Sequence, residues 1–551
     1  MIGEALRAPG RGPHPEDRQT RSARAKGVAV YYGLFAVLAV ASVQLFFSLR
    51  SGGFFPEQWY WGAAAVAVSL VGAAFVPGYF SCASLGRKQW ALAGALFLLT
   101  AVSAASVLWS ISPGLSVDEA SRTAMYAGVF VLLLPAAARW GALVVDATVF
   151  GALLPPAVYG LLQKIQPTAT EYTGFLTLQT DPKVSSTVGY HPTFGMMCAM
   201  GALLVIARIG CFRSLYSMPL RALYSVTGVI FLVALYFSFS RGALLALAVG
   251  VVVLLVLAKH RFEVLGNLAV TALPALWVVV QARDLPGLVT RPVSLEIMGA
   301  DGVALIDPLL KGVLVALVAQ AVFSLLLRAT EGFVPDGVRR GARIAGTAIA
   351  VFALAGGLFL GWTKFQEVGG FEELRSRITA SDSELQAEAV AKDQTQRFSS
   401  LSAANRIALW KIAWENFREH PLTGSGGDTY QVVYAENAPE GTEEVLHPHS
   451  MWMSLLSDTG VFAFLAFVAF CLGCLALALY NSFSKTRSRR SRALIAGSAA
   501  AAAIYLVSSS IDWNWYIPAS TLPFFALAAV AAGSRPRSLN VGESPKNPRP
   551  L

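Results

Sequence analysis

The chain has 551 residues, of which 55% are hydrophobic and only 14% are charged, and its formal net charge is +10. In soluble globular domains about a quarter of the residues are charged, so the composition excludes an ordinary soluble protein. The apolar residues form about 14 runs of about 18 to 25 residues, the length of a helix that crosses a bilayer. The sequence therefore predicts an all-α polytopic membrane bundle of about 12 to 14 transmembrane helices.

The positive charge follows from the predicted topology. Lysine and arginine cluster between apolar runs on one side of the predicted bundle, at 7–26, 87–88, 259–261, 339–343 and 485–492. Short cytoplasmic segments are enriched in these residues, so this side and the N-terminus are predicted to be cytoplasmic. The same distribution argues against a nucleic-acid partner. The five cysteines lie in or beside apolar runs and predict no disulfide framework.

The first part of the chain is predicted to be a tail followed by most of the membrane helices. Residues 1–27 are rich in arginine, proline and glycine and predict a disordered basic cytoplasmic tail. The first apolar run is too long for the central region of a signal peptide, so it is predicted to be a span. Residues 28–362 hold the predicted transmembrane helices 1–11. Asp146 lies inside one apolar run, and Asp307 and Lys311 are spaced to form an ion pair.

Two external segments in this first part carry candidate substrate contacts. The segment at 163–167 contains Lys164, and the segment at 181–197 contains Lys183 and His191. All three face the predicted outer side, where polar groups of a substrate would be reached. They are the weaker candidates, because lysine and histidine also occur at ordinary membrane boundaries.

Arg241 is a stronger candidate. It lies in "YFSFSRGALLALAVG" (236–250), between two apolar runs and on the predicted outer side. A charge in this position costs several kcal/mol unless it is paired or faces a wet cavity, so it indicates function. Arginines that only mark a membrane boundary are mostly cytoplasmic, which disfavours that simpler interpretation of Arg241.

Residues 363–449 are predicted to form one large, net acidic external loop. It contains an amphipathic helix, opened by Arg406, whose apolar residues recur at helical spacing: Ile407, Trp410, Trp414 and Phe417. This apolar face is predicted to lie on the bundle or in the membrane interface. The helix is predicted to end at His420, because a residue before proline avoids the α conformation.

The end of the loop brings two histidines to the start of an apolar run. His447 and His449 are two of only six histidines in the chain, and they precede the C-terminal transmembrane helices predicted at 450–533. A histidine here can be a helix cap or a titratable group of a site. Residues 534–551 predict a second disordered cytoplasmic tail.

Three motifs carry a family resemblance. They are "SFSRGALL" (238–245), "NRIALWKIAWENFREHPLTGSGG" (405–427) and "HPHSMWMSLLSDTGVFAF" (447–464). In this order, around a large external loop, they resemble the O-antigen ligase and polymerase superfamily of membrane glycosyltransferases of the C-type. Two departures stand out: Ser450 replaces the usual asparagine, and "VGYHPTFG" (188–195) replaces an asparagine-containing stretch.

The resemblance implies a reaction and its residues. Such enzymes transfer a glycan from undecaprenyl diphosphate to a hydroxyl of a lipid, glycan or protein, at the outer face of the cytoplasmic (inner) membrane. Arg241 and Arg406 would hold the diphosphate, because guanidinium groups are permanently charged, bidentate donors. His449 would take the acceptor proton in an inverting transfer. The role of His447 stays open, and it joins Lys164, Lys183 and His191 as a substrate contact. No Asp-x-Asp motif lies in the external loops, so neither metal nor cofactor is predicted.

Several functions remain compatible with the motifs. A ligase that completes a surface polysaccharide such as lipopolysaccharide, a repeat-unit polymerase and a protein O-oligosaccharyltransferase share the donor and differ in the acceptor. A flippase or transporter for the lipid-linked sugar is the alternative from another class. Transport requires polar groups near the membrane midplane. The predicted spans carry almost no such charge apart from Asp146, which favours the transferase.

Overall fold

The computed structural model describes residues 15–80, 85–170, 181–212, 214–291, 293–333, 404–438 and 444–533, together with residues 341, 363 and 366. These residues form helices and no β-sheet, which confirms the predicted all-α membrane bundle. The predicted span at 343–362, the loop residues before Ala404 and the C-terminal tail lie outside the described ranges, apart from Thr363 and Gln366. The helices are α1 Pro15–Ser48, α2 Pro56–Phe75, α3 Arg87–Ala105, α4 Pro113–Ala147, α5 Leu154–Ile165, α6 His191–Ile209, α7 Met218–Phe237, α8 Arg241–Leu257, α9 Arg261–Arg283, α10 Pro286–Val289, α11 Leu295–Ala304, α12 Ile306–Phe333, α13 Ala404–Glu419, α14 Tyr430–Asn437, α15 Met451–Phe483, α16 Arg489–Ser509 and α17 Pro518–Gly533.

Helix α1 corrects one predicted boundary. It begins at Pro15, inside the segment 1–27 that was predicted to be a disordered tail. Proline is favoured at the first position of a helix, and the glutamate, glutamine, arginine and alanine that follow are good helix formers. Residues 15–27 are therefore helical, as an extension of the first span.

Ten helical stretches of the described chain are long and apolar enough to cross a membrane, and α8 and α17 are shorter apolar helices. The longest stretch, Pro113–Ile165, has 53 residues and combines α4, a π-helical turn at Thr148–Leu153 and α5. Its helical backbone breaks at Trp140, where φ is −112° and ψ is 23°. A bilayer needs only about 20 residues of helix, so this stretch is long enough for the two spans predicted at 121–138 and 141–162.

The core of the bundle lies around α6 and α17. Every residue of α6 from Pro192 to Ile209 is buried, and so is every residue of α17. Helix α6 packs against α7, α8 and α16, whereas α17 packs against α4 and α16. Helices further out expose large apolar side chains such as Phe75 and Phe97, as expected of a surface that faces lipid.

The described part of the large loop packs on the bundle. Helix α13 contacts α15, and its buried residues are Ile407, Leu409, Ala413 and Asn416. Trp414 of the predicted apolar face is 47% exposed, so this face does not lie wholly on the bundle. The ring centroid of Trp414 lies 5.2 Å from that of Phe417, so part of the predicted face forms an exposed aromatic patch instead.

Two glycines allow the turn after α13 to approach α15 closely. Gly424 has φ +62° and Gly460 has φ +73°, a region that favours glycine. A Cβ atom on Gly424 would lie 2.3 Å from the carbonyl carbon of Asp458, and one on Gly460 would lie 2.4 Å from the carbonyl oxygen of Leu422. The turn after α13 is therefore held against α15 where the helix is kinked, at Gly460.

Candidate functional site

His449 lies immediately before α15 in an uncommon backbone conformation. Its φ is +51°, which few residues other than glycine adopt. The next residue, Ser450, caps α15 by accepting a hydrogen bond from the backbone N–H of Met453, so it provides the cap that serine supplies well. Left-handed backbone at a non-glycine residue costs about 1–3 kcal/mol and often marks a functional site.

The imidazole of His449 is oriented by Asp512, in the connection between α16 and α17. The distance from Nδ1 of His449 to Oδ1 of Asp512 is 3.2 Å. The Asp512 side chain is 4% exposed, whereas that of His449 is 28% exposed. An ionised carboxylate only accepts hydrogen bonds, so Nδ1 of His449 donates a hydrogen bond to Oδ1 of Asp512. Asp512 therefore holds the imidazole of His449 while part of the ring reaches solvent.

Asp512 is held by three more groups. The hydroxyl of Tyr190 donates to Oδ1 at 2.8 Å, the backbone N–H of Trp513 donates to Oδ1 at 3.0 Å, and Nη2 of Arg406 donates to Oδ2 at 3.3 Å. Burial acts to raise the pKa of Asp512, but the hydrogen bond from His449 and the charge of Arg406 outweigh burial and hold the pKa below its ordinary value. Asp512 is therefore ionised at neutral pH.

The two predicted arginines belong to helices that approach this connection. Arg406 reaches Asp512 directly from α13 and stays 33% exposed. Arg241 is the first residue of α8, which Ser240 caps by accepting a hydrogen bond from the N–H of Ala243. A Cβ atom on Gly242 would lie 2.9 Å from Cδ1 of Ile511, so the start of α8 packs beside Asp512. The structure brings Arg406 and His449 together on Asp512, and the start of α8 lies against the residue before Asp512.

The other predicted residues divide into two groups. Nδ1 of His191 lies 3.0 Å from the carbonyl oxygen of Ser238, three residues before Arg241, so His191 borders the same site. Lys164 and Lys183 line a separate cleft at the end of α5, described below.

His447 is enclosed in the protein. Its ring stacks on that of Tyr516, with centroids 3.6 Å apart and an interplanar angle of 11°. Its Nδ1 lies 3.6 Å from Oδ1 of Asp428. Burial, with the charges of Arg122 and His449, lowers the pKa of His447 well below its ordinary value, so the ring is neutral. Because the side chain is only 8% exposed, its position favours packing over the predicted substrate contact.

A buried ionic cluster lies beneath the histidines and was not predicted. Arg122 of α4 is paired with Glu119 and donates to Asp428 at 3.0 Å. Its guanidinium carbon lies 4.6 Å from the ring centroid of Tyr516. Burial raises the pKa of Asp428 to about 7, although the charge of Arg122 opposes the shift. The feature of the sequence that could have indicated this cluster is the Glu-x-x-Arg spacing of Glu119 and Arg122 at the start of a predicted span.

Two other charged groups have structural roles. Asp146, unexplained from sequence, accepts hydrogen bonds from Nε and Nη2 of Arg208 at 2.6 and 2.7 Å, and from the hydroxyl of Tyr224 at 2.7 Å. The predicted pair of Asp307 and Lys311 is confirmed, with Nζ 2.7 Å from Oδ2. These contacts account for the charges without a substrate.

Fold and site together define a multi-pass membrane protein with a histidine, an aspartate and an arginine assembled beside its membrane helices. Residues 298–468 match the family model described as O-antigen ligase. This match confirms the resemblance to the O-antigen ligase superfamily, which implies a glycosyltransferase-type activity. The matched region contains Arg406 and His449, whereas Arg241 and Asp512 lie outside it. No curated protein matches the chain.

Proposed function

We propose that this protein is a ligase that transfers a glycan from undecaprenyl diphosphate to an acceptor hydroxyl at the outer face of the cytoplasmic membrane. The observation that carries the proposal is Asp512, which orients the imidazole of His449 through one carboxylate oxygen and binds Arg406 through the other. A proton acceptor and a phosphate-binding group thereby share one anchor. The family match supports the reaction class.

The arginines serve the donor. The bond from the sugar C1 atom to the diphosphate oxygen breaks with its electron pair on oxygen, and the leaving diphosphate is stable enough to need little protonation. Fixed cationic donors lower the barrier most where this charge develops. Arg406 is half-buried beside Asp512, and Arg241 begins α8, whose second residue lies against Ile511, the residue before Asp512. We expect both guanidinium groups to bind the same diphosphate.

His449 serves the acceptor. Its Nε2 takes the proton of the acceptor hydroxyl while the hydroxyl oxygen forms a bond to C1 opposite the diphosphate, which inverts the configuration. The imidazolium that forms is stabilised by the ionised carboxylate of Asp512. Tyr190 fixes that carboxylate from a third side, so the imidazole keeps the tautomer that the proton transfer requires.

The same chemistry fits a repeat-unit polymerase or a protein O-oligosaccharyltransferase, which differ in the acceptor. A flippase is disfavoured by the partners of Asp146. This residue was the one midplane charge expected from sequence, and Arg208 and Tyr224 neutralise and hold it. A transport pathway would leave such a group open to the substrate.

The first test complements a deletion strain with the wild type, His449→Ala or Arg241→Ala, with Lys311→Ala as the control for an exposed charge. Surface polysaccharide and lipid-linked donor are measured together with the amount of inserted protein. We expect both site variants to lose the surface glycan and accumulate donor, while the control behaves as wild type. Long stalled chains support a ligase and single repeat units support a polymerase. Normal glycan in both site variants would refute the site.

A further inference from the structure

A second cleft lies at the end of α5. We call it the lysine cleft; its lining includes Lys164, Thr170, Asp181, Lys183, Ser185 and Met298. The backbone N–H of Val184 donates to the carbonyl oxygen of Phe237 at 2.9 Å, which fixes one wall to the end of α7. Phe237 precedes Arg241 by four residues, so the cleft neighbours the proposed diphosphate site.

Lys164 is the unusual residue of the lysine cleft. It is only 3% exposed, and its Nζ donates to the carbonyl oxygen of Leu288 at 3.1 Å. Nζ also lies 5.3 Å from the ring centroid of Phe237. Within the described ranges, no carboxylate lies within 4.0 Å of Nζ. A buried ammonium is stabilised by a charged partner, so this position favours an anionic ligand.

The nearby carboxylate is committed to other cations. Oδ2 of Asp181 lies 3.5 Å from Nζ of Lys183 and 3.2 Å from Nη1 of Arg291, and Oδ1 accepts the backbone N–H of Lys183 at 3.0 Å. The Asp181 side chain is itself buried. Asp181 therefore contacts Lys183 and Arg291 directly, whereas its charge acts on Lys164 from beyond 4.0 Å.

We propose that the lysine cleft is a second anion-binding site, which holds a phosphate group of a lipid at the membrane surface through Lys164 and Lys183. Lysine is a flexible point charge with three donors and binds phosphate from several directions. The phosphate belongs either to a substrate of the transfer or to a phospholipid of the surrounding leaflet. In the first case the inference rests on the proposed function, and the cleft positions that substrate beside Arg241.

The test measures the binding of radiolabelled inorganic pyrophosphate to the full-length protein in phosphatidylcholine nanodiscs by equilibrium dialysis. We expect two bound equivalents in the wild type and in the control Lys311→Met, whose lysine is exposed and paired with Asp307. One equivalent should remain in Lys164→Met/Lys183→Gln. Because Lys164 is buried, the single variant Lys183→Gln is measured as well and should weaken one class of sites at least tenfold while the folded fraction stays unchanged.

Two further measurements separate the two proposals and the two sources of phosphate. The variant Arg241→Ala/Arg406→Ala should lose glycan transfer and the pyrophosphate equivalent that does not depend on the lysines. If this variant still transfers glycan and still binds the lysine-dependent equivalent, the proposed function is wrong and the proposed anion site in the lysine cleft is supported. Two equivalents in the double lysine variant would overturn the cleft. In phosphatidylglycerol nanodiscs, competition for the lysine-dependent equivalent assigns it to a phospholipid, and undiminished binding assigns it to a substrate phosphate.

Discussion

Replacing Asp512 with asparagine tests the proposed proton transfer most directly. Asparagine has nearly the same shape, but its amide can donate a hydrogen bond to Nδ1 of His449. The imidazole hydrogen then moves to Nε2, where the proposed base needs a lone pair. Positioned general bases contribute about 10²–10⁴-fold in rate, so we expect kcat to fall by this range, equivalent to about 3–5 kcal/mol.

The assay is glycan transfer from purified lipid-linked donor in proteoliposomes, with kcat and KM measured separately. We expect the donor KM to change little, because Arg241 and Arg406 remain. Tyr190→Phe is the matched control, because it removes one hydrogen bond to Asp512 but leaves the charge of Asp512 in place. It should lower kcat by less than about tenfold. If Asp512→Asn transfers glycan within about twofold of wild type at equal protein levels, the proposed role of Asp512 is refuted.

Acidic pH should also lower the stability of the fold, by protonating Asp512. Its pKa in the folded protein lies below the ordinary value of 3.8, so its ionised form stabilises the fold. That stabilisation is fully present above about pH 4 and is lost as the pH falls through the folded pKa. Thermal unfolding should therefore show a steeper acid decline in wild type than in Asp512→Asn, and parallel curves would contradict the shift.

The remaining predictions concern a substrate contact and two packing sites. Arg406→Lys should weaken donor binding at least tenfold, because an ammonium cannot reproduce a guanidinium that contacts Asp512 and a phosphate together; the donor KM reports it. Arg122→Met should destabilise the protein by about 3–5 kcal/mol by leaving Glu119 and Asp428 buried without their cation; a smaller loss of stability in thermal unfolding would contradict this. Gly460→Ala should reduce folded protein sharply, because its Cβ would meet the Leu422 carbonyl oxygen and its φ is positive; normal yield by size exclusion would contradict this.

The sequence predicted the helices and the motif residues more completely than it predicted their partners. Apolar length alone indicates a span, so most helices could be placed. Asp512 could not, because one acidic residue in a short connection has no pattern and its contact with His449 joins residues 63 positions apart. Glu119 and Arg122 lay at a predicted membrane boundary, where charges are expected to be solvated. Their burial and the contact of Arg122 with Asp428 are visible only in the folded structure.

The amphipathic helix shows what apolar spacing leaves open. Its apolar spacing was real, but spacing cannot tell a face that packs on protein from a face that meets lipid. In the structure Ile407 and Ala413 pack inward, whereas Trp414 is turned outward with Phe417. An aromatic pair at a membrane interface is stable in its own right.

The carboxylate of Asp512 receives groups from four parts of the chain: Tyr190, Arg406, His449 and its own connection before α17. The connection that bears it follows the other three groups in the chain. During biosynthesis the elements that carry the two arginines and the histidine are therefore made before the carboxylate of Asp512. The imidazole of His449 lacks its orienting group until Asp512 has been added, so the proposed base is assembled only after the helices that precede Asp512 have been made.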